Sequence, residues 1–167
     1  VIQKKTEGIS ANSMASSVSS QTSGVIQTPK TQDLQLNDAN LLATAQLVEA
    51  GVYDFNTGAT FSTDNSQPTP SASVIKVFIM SYIYNQRDSG KLQLTDSVAG
   101  EPLSYWVTLM IQNSDNAATN VLINHFGMST LNAYFASQGY QDTKLERLML
   151  DNAARARGLD NYTSLND

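Results

Sequence analysis

Residues 74–84 are apolar almost without a break, and Lys76 is the one charge among them. A helix over this span is apolar on every face, and such a helix belongs inside a larger body. An ammonium group placed there is costly unless it has partners. Ser73 is the nearest candidate, because residues three apart share a helix face. A desolvated lysine loses basicity and can then take a proton from a hydroxyl. The start of a helix also presents free N–H groups and positive dipole to an oxyanion. A nucleophile, a base and part of an oxyanion hole thus fall between Ser73 and Lys76. The plainer reading is an N-cap serine beside a lysine that snorkels to solvent. Ser-x-x-Lys also arises by chance in a serine-rich chain. Its position here, after the loop-like approach Gln67-Pro68-Thr69-Pro70 and at the head of an apolar helix, favours the chemical reading.

The remainder of the composition removes other classes. A chain of 167 residues with 41% hydrophobic content is expected to hold one globular domain. A net charge of −5 argues against nucleic acid or an anionic membrane as partner. Without cysteine there is no disulfide framework and no thiol nucleophile, and the single histidine, His125, excludes zinc sites built on a histidine pair. No metal and no cofactor are expected. The longest apolar run, residues 74–80, is too short for a membrane span and is broken by Lys76.

Taken in order, residues 1–35 read as a flexible Ser/Thr/Gln-rich tail or linker, too poor in large apolar residues to order itself. Such a stalk suits a secreted or surface-anchored protein. The folded part is expected over residues 36–167, opening with a short helix over 39–46 capped by Asp38. Residues 47–55 read as a strand, Asn56-Thr57-Gly58 as a turn, and residues 59–62 as the antiparallel return. The central helix should end between Arg87 and Gly90. Pro102 opens a helix over 103–112 with Leu103, Trp106, Val107, Met110 and Ile111 on its apolar side. A second helix is expected over 117–126, stopped by Gly127, and Ser129 should cap a third that ends before Gly139. Residues 143–150 form an amphipathic short segment, residues 151–160 are polar and helix-prone, and Tyr162-Thr163-Ser164 resembles a helix cap.

Between the helices at 103–112 and 117–126 stands Ser114-Asp115-Asn116. A hydroxyl at such a break can relay a proton, an amide can hold a substrate carbonyl, and an aspartate can cap the following helix. By itself the triplet is most simply an N-cap cluster. Joined with Ser73-x-x-Lys76 on a buried helix, it resembles the penicillin-recognising serine enzymes, the class A β-lactamases and D-alanyl-D-alanine peptidases. The resemblance runs over residues 36–167. It includes the hairpin with its Asn-Thr-Gly turn, Asp88-Ser89-Gly90-Lys91-Leu92, the run from Asn113 to Asn120, and Asn161-Tyr162-Thr163-Ser164.

That family implies an α/β fold, an antiparallel sheet packed with a helical region, with the active site between them. It implies acyl transfer from a β-lactam or a peptidoglycan D-Ala-D-Ala peptide, in a bacterial, extracellular or cell-surface setting. Ser73 would be the acylated nucleophile and Lys76 its base. Ser114 would pass a proton to the leaving nitrogen, Asn116 would contact the substrate's amide side chain, and Asp115 would be structural. A non-catalytic surface module of the same fold, binding cell-wall peptide or a partner protein, is the alternative. His125 reads as a packing residue, and Tyr105 and Trp106 as core.

Three departures stand out. No Lys-Thr-Gly occurs among the 167 residues, so the fold is expected to be incomplete in this chain, which would then be inert unless a second chain or fragment completes it. The stretch between Leu94 and Leu103 is shorter than the family's. Finally, aligning Arg147 with the arginine of the family's R-x-E-x-x-L-N pattern sets Met149 where the deacylating glutamate should stand, with Glu146 and Asp151 as off-register acidic neighbours.

Overall fold

The computed structural model describes Ala45 and residues 47–167. The expected tail over 1–35 and nearly all of the expected helix over 39–46 lie outside the described residues.

Helix α1, Ile75–Asp88, runs on from a 3₁₀ turn at Ala72–Val74. It buries Ile75, Lys76, Phe78, Ile79 and Ile83. Each fully buried aliphatic or aromatic side chain there contributes about 1.5–3 kcal/mol of transfer free energy. The helix is not covered all round, because Val74 and Val77, three residues apart on one face, are each about half exposed. Against its buried side pack α2, Leu103–Gln112, and α4, Met128–Ser137, with α3, Asn116–Phe126, packed on both. Leu103, Val107, Met110, Leu122, Ile123, Leu131 and Phe135 complete the core.

Helix α2 occupies the span its apolar spacing predicts, but Ile111, expected on its apolar side, is exposed. Trp106 is held to the core side by donating its indole N–H to the Val98 carbonyl at 2.6 Å, while Tyr105 is exposed. Two helix starts differ from expectation. Asn116 already belongs to α3, because Asp115 caps it by accepting the Ala118 N–H at 2.7 Å. Helix α4 starts at Met128, not after a Ser129 cap, because Gly127 turns the chain with φ +84° and admits no Cβ strain in doing so.

Among the described residues the strands form three separate antiparallel pairs. The first, β1 (Gly51–Tyr53) with β2 (Thr60–Ser62), is shorter than the expected 47–55 strand. Asp54 ends it by accepting the Asn56 N–H and the Thr57 hydroxyl, which bends the chain and leaves Phe55 in solvent. The third pair in space, β4 (Ser97–Val98) with β5 (Glu101–Pro102), accounts for the short Leu94–Leu103 stretch. Ala99 and Gly100 both have positive φ, as a two-residue hairpin of the I′ kind requires. The second pair joins β3 (Thr69–Pro70) to β6 (Tyr162–Thr163), so Tyr162-Thr163-Ser164 is part of a strand and its exit and not a helix cap. Among the described residues no helix is long and apolar enough to cross a membrane.

Candidate active site

The β3–β6 pairing fixes the approach to Ser73. Ser71, next in the chain, donates both its N–H and its hydroxyl to the Asn161 carbonyl, at 2.8 and 3.1 Å. Ala72 then turns with φ +45°, and Ser73 follows in the 3₁₀ turn that leads into α1. The first turn of a helix has N–H groups without intrahelical partners, the donors an oxyanion needs.

Lys76 is buried, 2% exposed, and its ammonium is the hub of the site. Around Nζ stand Ser73 Oγ at 3.2 Å, the Ser114 carbonyl at 2.5 Å, Ser114 Oγ at 2.9 Å and Asn116 Oδ1 at 2.9 Å. An ammonium has three protons for these four oxygens. Ser114 closes the triangle by donating its hydroxyl to Ser73 Oγ at 3.0 Å. Burial holds the Lys76 amine below its ordinary pKa, with the Asp115 carboxylate partly offsetting the effect. The Lys76 amine is thus desolvated, while Ser73 and Ser114 stay exposed. Ser73, Lys76, Ser114 and Asn116 are therefore one hydrogen-bonded cluster. Asp115 stands behind it as the cap of α3.

Backbone strain concentrates here. Of five non-glycine residues with positive φ among the described residues, Ala72 precedes Ser73, Ser114 belongs to the cluster, and Leu150 lines the adjacent cavity. Such conformations persist where surrounding contacts enforce them, and they gather at functional sites.

That cavity, about 220 Å³, is walled by Ser73, Asn116, Arg147, Met149, Asn152 and Arg155, among others. Among the described residues no aspartate or glutamate lines it. Asp151 instead caps the short helix α5 (Asn152–Ala156) through the Ala154 N–H, and Glu146 is turned to Lys144 and the Asp160 N–H. A larger hollow of about 430 Å³ between Pro68, Asn132, Tyr140, Lys144 and Tyr162 shares no lining residue with it. His125 is exposed, its ring edge-on to Phe126 at 4.7 Å, and takes no part in the cluster.

Contacts distant in sequence hold the walls of the cavity. Arg147 and Asp160, 13 positions apart, close the loop between them, with Nε to Oδ1 at 2.8 Å and Nη2 to Oδ1 at 2.6 Å. This is an Ω-loop, compact and pinned at its neck. Asn161, 2% exposed, accepts the N–H groups of Glu146 and Arg147 on its side-chain oxygen and points Nδ2 at Met149 Sδ, 3.8 Å away. Asn120 clamps the Met149 backbone on both sides, accepting its N–H at 2.7 Å and donating to its carbonyl at 3.1 Å. The sequence signals were Asn120 and Asn161, each at an end of a run that resembles the family.

Asp160 also sets a pH dependence. Burial pushes its carboxyl up, but the Asn161 N–H and Arg147 outweigh this and hold it below the ordinary 3.8. Its contribution is therefore present above that value and is lost as pH falls through the lowered one. Asp160→Asn is expected to cost about 2 kcal/mol of stability near neutral pH, read by denaturant unfolding. An unchanged midpoint would show that the neck does not hold the loop.

Comparison with known proteins bears on the fold. The sequence profile of the "Beta-lactamase enzyme family" matches residues 35–167. No curated protein matches. Among solved structures, an ancestral class A β-lactamase from the last common ancestor of Gram-negative bacteria is 22% identical, covering 62% of this chain and 47% of its own, with a TM-score of 0.56. A β-lactamase from Sphaerobacter thermophilus is 26% identical over 70% of this chain and 51% of its own, and PBP-A is 26% identical over 74% and 54%, each with a TM-score of 0.56. The chain spans about half the length of these structures. With the profile covering all but the first residues and the fold shared, the β-lactamase/transpeptidase-like fold expected from Ser73-x-x-Lys76 and Ser114-Asp115-Asn116 is the one present, and the chain belongs to the beta-lactamase enzyme family of serine hydrolases.

Proposed function

We propose that this chain forms one wall of an acyl-transfer site that takes β-lactams or peptidoglycan D-Ala-D-Ala peptides, and that it acylates readily but deacylates slowly. The observation that carries the reading is the closed Ser73–Lys76–Ser114 triangle, with each pair within 3.2 Å. Ser73 Oγ attacks the substrate carbonyl carbon as its proton passes to the Lys76 amine, and a C–O bond forms. Ser114 Oγ hands a proton to the departing nitrogen and is reprotonated from Lys76, so the C–N bond breaks and the cluster is left neutral. Asn116, beside the cavity, faces the substrate's amide side chain.

Hydrolysis of the resulting ester needs a base beside it to activate water. Met149 lines the cavity instead and can neither accept a proton nor orient water. This favours a penicillin-binding, peptidase-like protein over an efficient lactamase. The sequence contains no Lys-Thr-Gly, so the activity is proposed for the full-length protein in which the opposite wall is supplied, by further chain or by a second polypeptide. A cell-wall substrate places that protein at the bacterial surface or outside the cell.

Stopped-flow kinetics of the full-length protein with a chromogenic cephalosporin should show a stoichiometric burst followed by slow release. Fast multiple turnover abolished by Asp151→Asn or Glu146→Gln would identify a base and contradict the reading. Absence of any burst would leave a non-catalytic module of the same fold.

A further inference from the structure

The Ser73 cavity carries an unneutralised positive charge. Arg147 and Arg155 both line it, and both lean on one carboxylate, Asp160, which does not. Arg147 is used up in this. It hydrogen-bonds Asp160 through Nε, donates Nη1 to the Leu148 carbonyl at 3.0 Å, and is only 13% exposed. Arg155 is different. Its Nε lies 3.6 Å from Asp160, beyond hydrogen-bond range, and 68% of its side chain is exposed. Among the described residues its guanidinium makes no hydrogen bond to any side chain or carbonyl. Two guanidiniums sharing one carboxylate leave a net charge of about +1 at a wall that no acid among the described residues lines.

We propose that Arg155 is a specificity residue that receives a carboxylate on the acyl side chain of the substrate. The inference rests on the acyl-transfer reading above. Asn116, which faces the amide of that side chain in this reading, lines the same cavity as Arg155, so a group attached beside the amide enters the charged space. A guanidinium with its donors free matches a carboxylate in bidentate geometry, where a lysine would offer only a point charge. The site would therefore prefer an acidic peptide stem, or a β-lactam with an anionic side chain, over its neutral counterpart. A solvated surface arginine, the plain alternative, would show no such preference.

Benzylpenicillin and α-carboxybenzylpenicillin differ by one carboxylate on the side chain and test this directly. Second-order acylation rates would be measured on the full-length protein, with labelling at Ser73 confirmed by mass. The carboxylated compound should react about tenfold faster, and the preference should shrink with added salt. Arg155→Gln should bring the ratio to about one and Arg155→Lys should keep only part of it, while Arg157→Gln, which lies outside the cavity, should retain it in full. Ser73 labelling at equal rates by both compounds, or a ratio that survives Arg155→Gln, would overturn the inference alone. Failure of both compounds to label Ser73 would overturn the acyl-transfer reading and the inference with it.

Discussion

Replacing Lys76 by methionine is expected to slow acylation of Ser73 by penicillins about a thousandfold while leaving the fold intact. A positioned general base contributes roughly 10²–10⁴ in rate, and Lys76 Nζ is the basic group in contact with Ser73 Oγ. The active form is the neutral amine, which has the lone pair the ammonium lacks. Burial lowers its pKa from the ordinary 10.5, so the acylation rate should rise with pH through an apparent value below 10.5 and then level off. The same shift has a sign for stability. Between the lowered folded value and 10.5 the unfolded chain binds the extra proton, so stability rises with pH across that window. Below it the cost of burying the charge is fully present. Lys76→Met removes that charge and keeps the volume, and its oxygen partners on Ser114 and Asn116 can reach water. Thermal unfolding should therefore be unchanged or raised. Acylation within tenfold of the unsubstituted protein would show that Lys76 is packing and not the base.

The second large effect concerns release. Met149→Glu is expected to speed hydrolysis of the acyl-enzyme about a hundredfold, read as the decay of a covalent penicillin adduct over time. Met149 is nearly buried in the cavity wall beside Ser73, its backbone is clamped by Asn120, and its sulfur already faces Asn161 Nδ2. A carboxylate built there inherits that donor and stands where the wall now has no acid. Met149→Leu, equal in polarity, should leave the decay rate near that of the unsubstituted protein. An unchanged adduct lifetime in Met149→Glu would mean that water does not reach the ester from this side.

Much of the site was legible because its chemistry is local. Ser73 and Lys76 are one helical turn apart, and one charge in an apolar run had to be partnered. Asp115 was read as structural, and it caps α3. Helix α2 follows its apolar spacing to the residue. What escaped the reading is held by contacts distant in sequence. Thr69–Pro70 pairs with Tyr162–Thr163 through a two-residue ladder that leaves no alternation to read. The neck of the Ω-loop is one ion pair 13 positions apart, and nothing in either residue type announces the other. Asn161 reads only as the first residue of a run that resembles the family, yet its backbone carbonyl holds the approach to Ser73 and its side-chain amide holds the loop neck and Met149. The left-handed backbone at Ala72 and Ser114 was also invisible, because neither is glycine.

The central claim is that Ser73 is a nucleophile, and intact-protein mass spectrometry after exposure to benzylpenicillin tests it most directly. The full-length protein should gain the whole mass of one penicillin, because ring opening expels nothing. Peptide mapping should place the addition on Ser73, and the Ser73→Ala protein should gain nothing. No adduct under conditions where the protein is folded, or an adduct that persists in Ser73→Ala, would contradict the account.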